Sequence, residues 1–117
     1  MDGKAISADL IRGNIDTIIL RVLKNGDNYG YEIMKAIYEG SSGEYILKEP
    51  TLYSSLKRLE KAGFINAYWG DQSQGGRRKY YTLTNDGIAA YEQNLVAWNR
   101  AKELIDRLVQ ERSGDVD

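Results

Sequence analysis

Cysteine and histidine are both absent from this 117-residue chain, and proline and phenylalanine occur once each. Without cysteine there is no disulfide, no thiol nucleophile and no thiolate metal site. Without histidine the Ser-His-Asp triad is excluded, together with the side chain that titrates near neutral pH. Aspartate and glutamate remain, but no pair of them has a recognisable catalytic spacing, and no glycine-rich phosphate loop joins a strand to a helix. Enzymatic chemistry is therefore disfavoured, and no catalytic residue, metal ligand or cofactor is expected. Long apolar runs are missing too, Ile18-Ile19-Leu20 being typical of those present. Neither a signal peptide nor a membrane span is expected, and the cytoplasm is the expected location. An excess of charge is also lacking: 16 Lys and Arg stand against 17 Asp and Glu, a net −1. Taken as a total, that balance argues against nucleic acid, whose binders are usually basic.

What is present is ordinary for one folded domain, with 42% hydrophobic and 28% charged residues. Leu10, Ile11, Ile15, Ile18, Ile19, Val22 and Leu23 recur at helical spacing, predicting one amphipathic helix from Ser7 to Lys24 that ends near Asn25-Gly26. Asn28 is expected to cap a second helix that stops in Gly40 to Gly43. Tyr45-Ile46-Leu47 predicts one short strand. A third helix starts at Pro50 and ends at Gly63, burying Leu52, Leu56 and Leu59. Phe64 to Trp69 and Arg77 to Thr84 flank a polar, glycine-rich stretch and read as an antiparallel hairpin. Thr84 or Asn85 then caps a long helix running to about Arg112. The expected class is mainly α with a small β-hairpin (α+β). The element order is that of a winged helix-turn-helix over 1–84, with a C-terminal helix and short tail over 85–117 in the same compact unit.

Divided by these elements, the charge acquires a direction. Lys48 to Tyr81 carries seven cations and three carboxylates, a local +4, while Met1 to Leu47 is −2 and Thr82 to Asp117 is −3. With its leucines inward, the third helix turns Thr51, Ser54, Lys57, Arg58 and Lys61 outward. Short hydroxyls near a helix N-terminus with cations further along suit a helix in the major groove. Arg77-Arg78-Lys79 follows the hairpin tip, where cations suit phosphate or minor-groove contact. A solvated helix face and an edge strand protected by charge are the bland alternatives. Two basic surfaces on consecutive elements of an otherwise acidic chain favour nucleic acid over that coincidence.

On the long helix Ile88, Tyr91, Leu95, Trp98 and Ile105 keep a spacing near 3.5 residues, interrupted by Lys102 and widened by Ala101, Leu104 and Leu108. This stripe exceeds what a three-helix core can cover, which predicts a two-fold homodimer.

Several stretches together resemble the PadR family of transcriptional regulators: Tyr29-Gly30-Tyr31-Glu32-Ile33-Met34, Thr51-Leu52-Tyr53, Leu56 to Ile65, and Gly75 to Thr84 followed by Gly87. Tyr68-Trp69-Gly70-Asp71 through Tyr81, with Trp98 on a single long helix, is most similar to the small multidrug-binding PadR-type repressors. The resemblance implies a homodimeric repressor on a palindromic double-stranded DNA operator. The DNA contacts it implies are Thr51, Tyr53, Ser54 and Lys57 on the third helix, and Gln74, Arg77, Arg78 and Lys79 on the wing. It also implies that Trp98 and its symmetry mate line a central pore in which planar aromatic effectors stack, with Tyr91, Leu95, Asn14, Thr17 and Arg21 completing the walls. Two departures stand out. Glu49-Pro50 precedes Thr-Leu-Tyr where many relatives have a small residue, and Lys102 replaces an acidic residue, which favours neutral or anionic ligands over cations. The acidic first and last helices also permit a different reading, a protein-interaction adaptor on the same scaffold that binds neither DNA nor ligand.

Overall fold

The computed structural model describes residues 7–70 and 76–110. Ser7 opens α1 (Ala8–Arg12), its hydroxyl accepting from the Asp9 N–H. The single expected helix is in fact two, because the chain breaks at Gly13-Asn14 and resumes as α2 (Ile15–Lys24). The Asn14 N–H reaches back only three residues, to the Ile11 carbonyl (2.8 Å), so the last turn of α1 is tightened. Glycine, a poor helix former, occupies the break.

Asn28 does not cap a helix. With Tyr29 it forms β1 (Asn28–Tyr29), and α3 (Gly30–Gly40) starts without a side-chain cap. The reason is tertiary: Asn28 pairs with Tyr81 and Tyr29 with Tyr80, and these ladder bonds hold both residues extended. The strand expected at Tyr45 to Leu47 is instead irregular. Ser41 Oγ accepts from the Tyr45 N–H (3.0 Å), a local turn that bonds the Tyr45 backbone without a partner strand, and Leu47 inserts into the core.

The third expected helix is α4 (Glu49–Lys61), with proline in its first turn and Gly63 in the left-handed region at φ 83° just past its end. β2 (Ile65–Trp69) and β3 (Lys79–Leu83) form the hairpin, Ile65 opposite Leu83 and Trp69 opposite Lys79. With β1 they make a three-stranded antiparallel sheet of order β1-β3-β2. The core is built from Ile15, Ile19, Leu20 and Leu23 of α2, Ile33 and Ile37 of α3, and Leu52, Leu56 and Leu59 of α4, closed by Leu47, Ile65 and Tyr81.

α5 (Asn85–Val109) is anchored at its first turn. Thr84 Oγ1 accepts from the Gly87 N–H (3.0 Å) and donates to the Gly63 carbonyl (2.8 Å), while the Thr84 N–H bonds the Phe64 carbonyl (3.0 Å). The start of α5 is thus fixed to the end of the α4 helix. A Cβ on Gly87 would overlap the Phe64 carbonyl oxygen and press on Leu83 Cδ1, so only glycine lets α5 come this close. Gly87→Ala should destabilise the fold by about 2–3 kcal/mol, lowering the thermal midpoint by on the order of 10 °C. Circular-dichroism melting checks this, and a wild-type midpoint would show that the contact yields freely.

At 25 residues α5 is about 37 Å long. Only its beginning is covered: Gly87 is buried and Ala90 and Tyr91 are half-buried, whereas Glu92 to Gln110 are exposed throughout. Among the described residues no helix is long and apolar enough to cross a membrane.

Candidate nucleic-acid interface and the Trp98 cavity

On α4 the buried leucines leave Thr51, Ser54, Lys57 and Lys61 exposed. Thr51 and Ser54 share one cleft of about 380 Å³ with Pro50 at the helix start and Arg12 of α1. Tyr53 is exposed as well, but its phenol lies over Gly30, where a Cβ would collide with the ring oxygen. Glycine at the start of α3 is therefore what admits the Tyr53 ring. Glu49 forms the first residue of α4, where a carboxylate complements the positive end of the helix dipole.

Arg58 occupies the same side of α4 but does not face outward freely. Its Nε donates to Asp16 Oδ2 (2.9 Å) and its Nη2 to Asp16 Oδ1 (2.7 Å), with a third bond from Nη2 to Ser55 Oγ (3.0 Å). Hydrogen bonding to Asp16, and then its charge, hold the guanidinium above its ordinary proton affinity.

The wing carries its cations on an aromatic base. Tyr68 stacks on its cross-strand partner Tyr80 at 5.7 Å between centroids, and Tyr29 meets Tyr80 edge-on at 5.4 Å. The Tyr68 hydroxyl donates to Asp27 Oδ2 (2.7 Å), and this bond, more than the slight burial, raises the phenol's pKa above its usual range. Arg78 lies over the Tyr29 ring at 4.9 Å, whereas Arg77 lies over Trp69 at 5.1 Å and Lys79 over Tyr81 at 5.8 Å. Tyr81 is buried, which is the main reason its phenol too titrates above the ordinary tyrosine range. The rings they lie over divide the cations, with Arg78 on the Tyr29 face of the wing and Arg77 and Lys79 with Trp69 and Tyr81 on the other. Each exposed cation–π contact contributes only about 0.5–1 kcal/mol, so it stations the charge without consuming it. Gln74 lies outside the described residues.

A second feature sits between the first helices and α5. Asn14, Thr17 and Arg21 face Tyr91, Leu95 and Trp98 across a mostly apolar cavity of about 280 Å³, walled also by Ile11 and Ile18. Arg21 is tethered at its rim by a bond from Nη1 to Asn25 Oδ1 (2.6 Å). Lys102 is not part of that wall. Its ammonium instead lies 5.9 Å over the Trp98 ring. Trp98 is itself 39% exposed, and beyond it Leu104 is 46% and Leu108 73% exposed. Ile88 and Ile105 also face solvent.

Sequence reasoning missed the Asp16–Arg58 pair and the Tyr29-Tyr80-Tyr68 ladder. The first joins residues 42 apart and leaves no local signal. The second was foreshadowed only by the tyrosine content of the hairpin, since the contribution of Tyr29 depends on β1. Among the described residues no group of three or more Asp or Glu is placed to hold a metal.

Residues 19–93 match the transcriptional regulator PadR-like family. A transcriptional regulator from Clostridium thermocellum superposes with a TM-score of 0.81 at 46% identity, covering 87% of this chain and 99% of that one. A PadR family transcription regulator from Clostridium difficile superposes at 0.73 with 40% identity, covering 84% and 100%. An uncharacterised protein from Lysinibacillus sphaericus is 43% identical over 105 residues, 90% of this chain and 96% of its own.

Proposed function

The chain belongs to the PadR-like family of transcriptional regulators, and on that premise we propose that it is a homodimeric, sequence-specific DNA-binding repressor released by a planar aromatic molecule bound at the dimer centre. The observation that carries this reading is the joint placement of two basic surfaces. The exposed α4 face offers Thr51, Ser54 and Lys57, with Tyr53 beside them, and the wing offers Arg77, Arg78 and Lys79. α4 enters the major groove, its N-terminal hydroxyls toward base edges and Lys57 toward phosphate. Cations on both faces of the wing suit a minor groove, which has a phosphate strand on either side. Gln74 completes the wing contacts in this reading.

Dimerisation follows from α5. Ile88, Leu95, Trp98, Leu104, Ile105 and Leu108 are all exposed by a third or more. Covering each recovers about 1 kcal/mol, or roughly 12 kcal/mol per dimer, which lies within the association cost of about 4–15 kcal/mol. Trp98 alone is too little, so the whole stripe, Tyr91 included, has to be engaged. A second copy packed along α5 sets two recognition helices about 34–36 Å apart, one turn of DNA.

The cavity beside Trp98 supports the effector. Its apolar walls suit a flat ring, and Arg21 with Lys102 favours an anionic or neutral ring over a cation. Such a ligand lowers operator affinity only if it binds one half-site spacing better than another. Titration with a planar aromatic anion should quench the Trp98 emission of the wild type, while Trp98→Ala should abolish the response and Lys102→Glu should shift preference toward a cationic dye. A Trp98→Ala protein that responds like the wild type would remove the effector from this account.

A further inference from the structure

The surroundings of Arg58 give it a role of its own. Thr51, Ser54 and Arg58 line the same cleft, so its guanidinium stands on the face of α4 that approaches DNA in the reading above. That guanidinium is nevertheless turned back onto Asp16 of α2 through two charge-assisted bonds of 2.7 and 2.9 Å. The Arg58 side chain is 60% exposed, so the pair is open to solvent and to an approaching anion. A DNA phosphate presents the same two-oxygen edge as a carboxylate and is matched equally by the arginine fork. Ser55, buried in α4, accepts a third bond from Nη2, the same nitrogen that donates to Asp16 Oδ1, and so keeps that end of the guanidinium against α4 during an exchange.

Resting on the DNA-binding reading, we infer that Asp16 and Arg58 form a carboxylate latch: Asp16 holds Arg58 off DNA in the free protein, and a backbone phosphate takes its place in the complex. Arg58 is then a further phosphate contact, and Asp16 sets how readily it is released. The exchange is balanced, one anion replacing another on the same donors with no proton transferred. An exposed ion pair is weak enough to be displaced by a phosphate that also releases condensed counterions. Asp16 thus raises the threshold for binding weakly held, non-specific DNA.

The test is a double-mutant cycle on the full chain, using a fluorescein-labelled mixed-sequence duplex titrated at several salt concentrations. Asp16→Asn should tighten binding by about two- to five-fold per protomer. Arg58→Gln should weaken it and lower the log–log salt slope by about 0.9 per protomer. On the Arg58→Gln background, Asp16→Asn should no longer tighten binding. Arg58→Lys, which keeps the charge but not the fork, should preserve the slope, and Arg58→Met, which keeps the aliphatic stem without the charge, serves in place of Arg58→Gln if that variant melts early. The latch is overturned if Asp16→Asn weakens binding or leaves it unchanged, if its gain persists without Arg58, or if Arg58→Gln leaves the slope unaltered. Wild-type protein that binds no duplex even at low salt overturns the regulator reading itself, a result distinct from an additive cycle with wild-type binding intact.

Discussion

Replacing Arg77 and Arg78 together by alanine should cost about a thousand-fold in DNA affinity at 0.15 M salt, for duplexes of every sequence alike. The estimate follows from counterion release. Lys57, Arg77, Arg78 and Lys79, with Arg58 as a fifth cation, give ten phosphate contacts per dimer and a log–log salt slope of roughly −9 at about −0.9 each. Removing four of the ten lowers the slope to roughly −5.4, and the difference over the interval from 0.15 M to 1 M is about three decades. The loss should not discriminate among sequences, because phosphate contacts position the protein while base contacts specify. Neither guanidinium belongs to the hydrophobic core, so the fold should persist. Gel shift across a salt series checks both numbers. A wild type that binds no DNA, with a variant that still keeps its protein partner in cells, would point to the adaptor alternative.

The second large effect concerns α5. Leu104→Glu with Leu108→Glu should convert the dimer to a folded monomer and reduce operator affinity by about 10²- to 10⁴-fold, the advantage of holding two half-sites at once. Both side chains are solvent-exposed and belong to no part of the core, so the isolated fold loses nothing by their replacement. Sedimentation velocity reports the assembly and gel shift the affinity. A double variant that still sediments as a dimer would place the interface elsewhere, and a monomer with undiminished affinity would separate dimerisation from DNA reading.

The parts of this fold legible in the sequence were those written in local pattern. α4 was marked by Pro50, Gly63 and three leucines, the hairpin by its β-formers around a glycine-rich stretch, and the head of α5 by Thr84. What escaped depends on partners distant in the chain. A two-residue strand such as β1 has no period to read, and Asn28 looks like a cap until Tyr81 is seen across from it. Tyr45-Ile46-Leu47 has strand composition, yet Ser41 satisfies its backbone first. The break at Gly13-Asn14 left the apolar pattern of α1 and α2 almost undisturbed, so periodicity alone ran through it. For the site, residue type indicated which cations are exposed but not how they are held. Arg58 looked equivalent to Lys57 by sequence, and only the fold reveals that one is engaged by Asp16. The resemblance implies one wall built from Asn14, Thr17, Arg21, Tyr91, Leu95 and Trp98, and all six line one cavity between the first helices and α5. Lys102 stands apart, over the indole.

The near-neutral total charge looked unfavourable to nucleic acid, yet it averages a basic α4 and wing with acidic surroundings. Asp16 places one of those carboxylates directly on a cation of α4.

Selection of bound duplexes from a random DNA pool by the purified protein tests directly whether a dimer reads DNA sequence. A dimeric sequence reader should enrich an inverted repeat whose half-site centres lie about 10 base pairs apart. Recovery of a single unrepeated half-site, or of no sequence at all from a pool the protein demonstrably contacts, would contradict it.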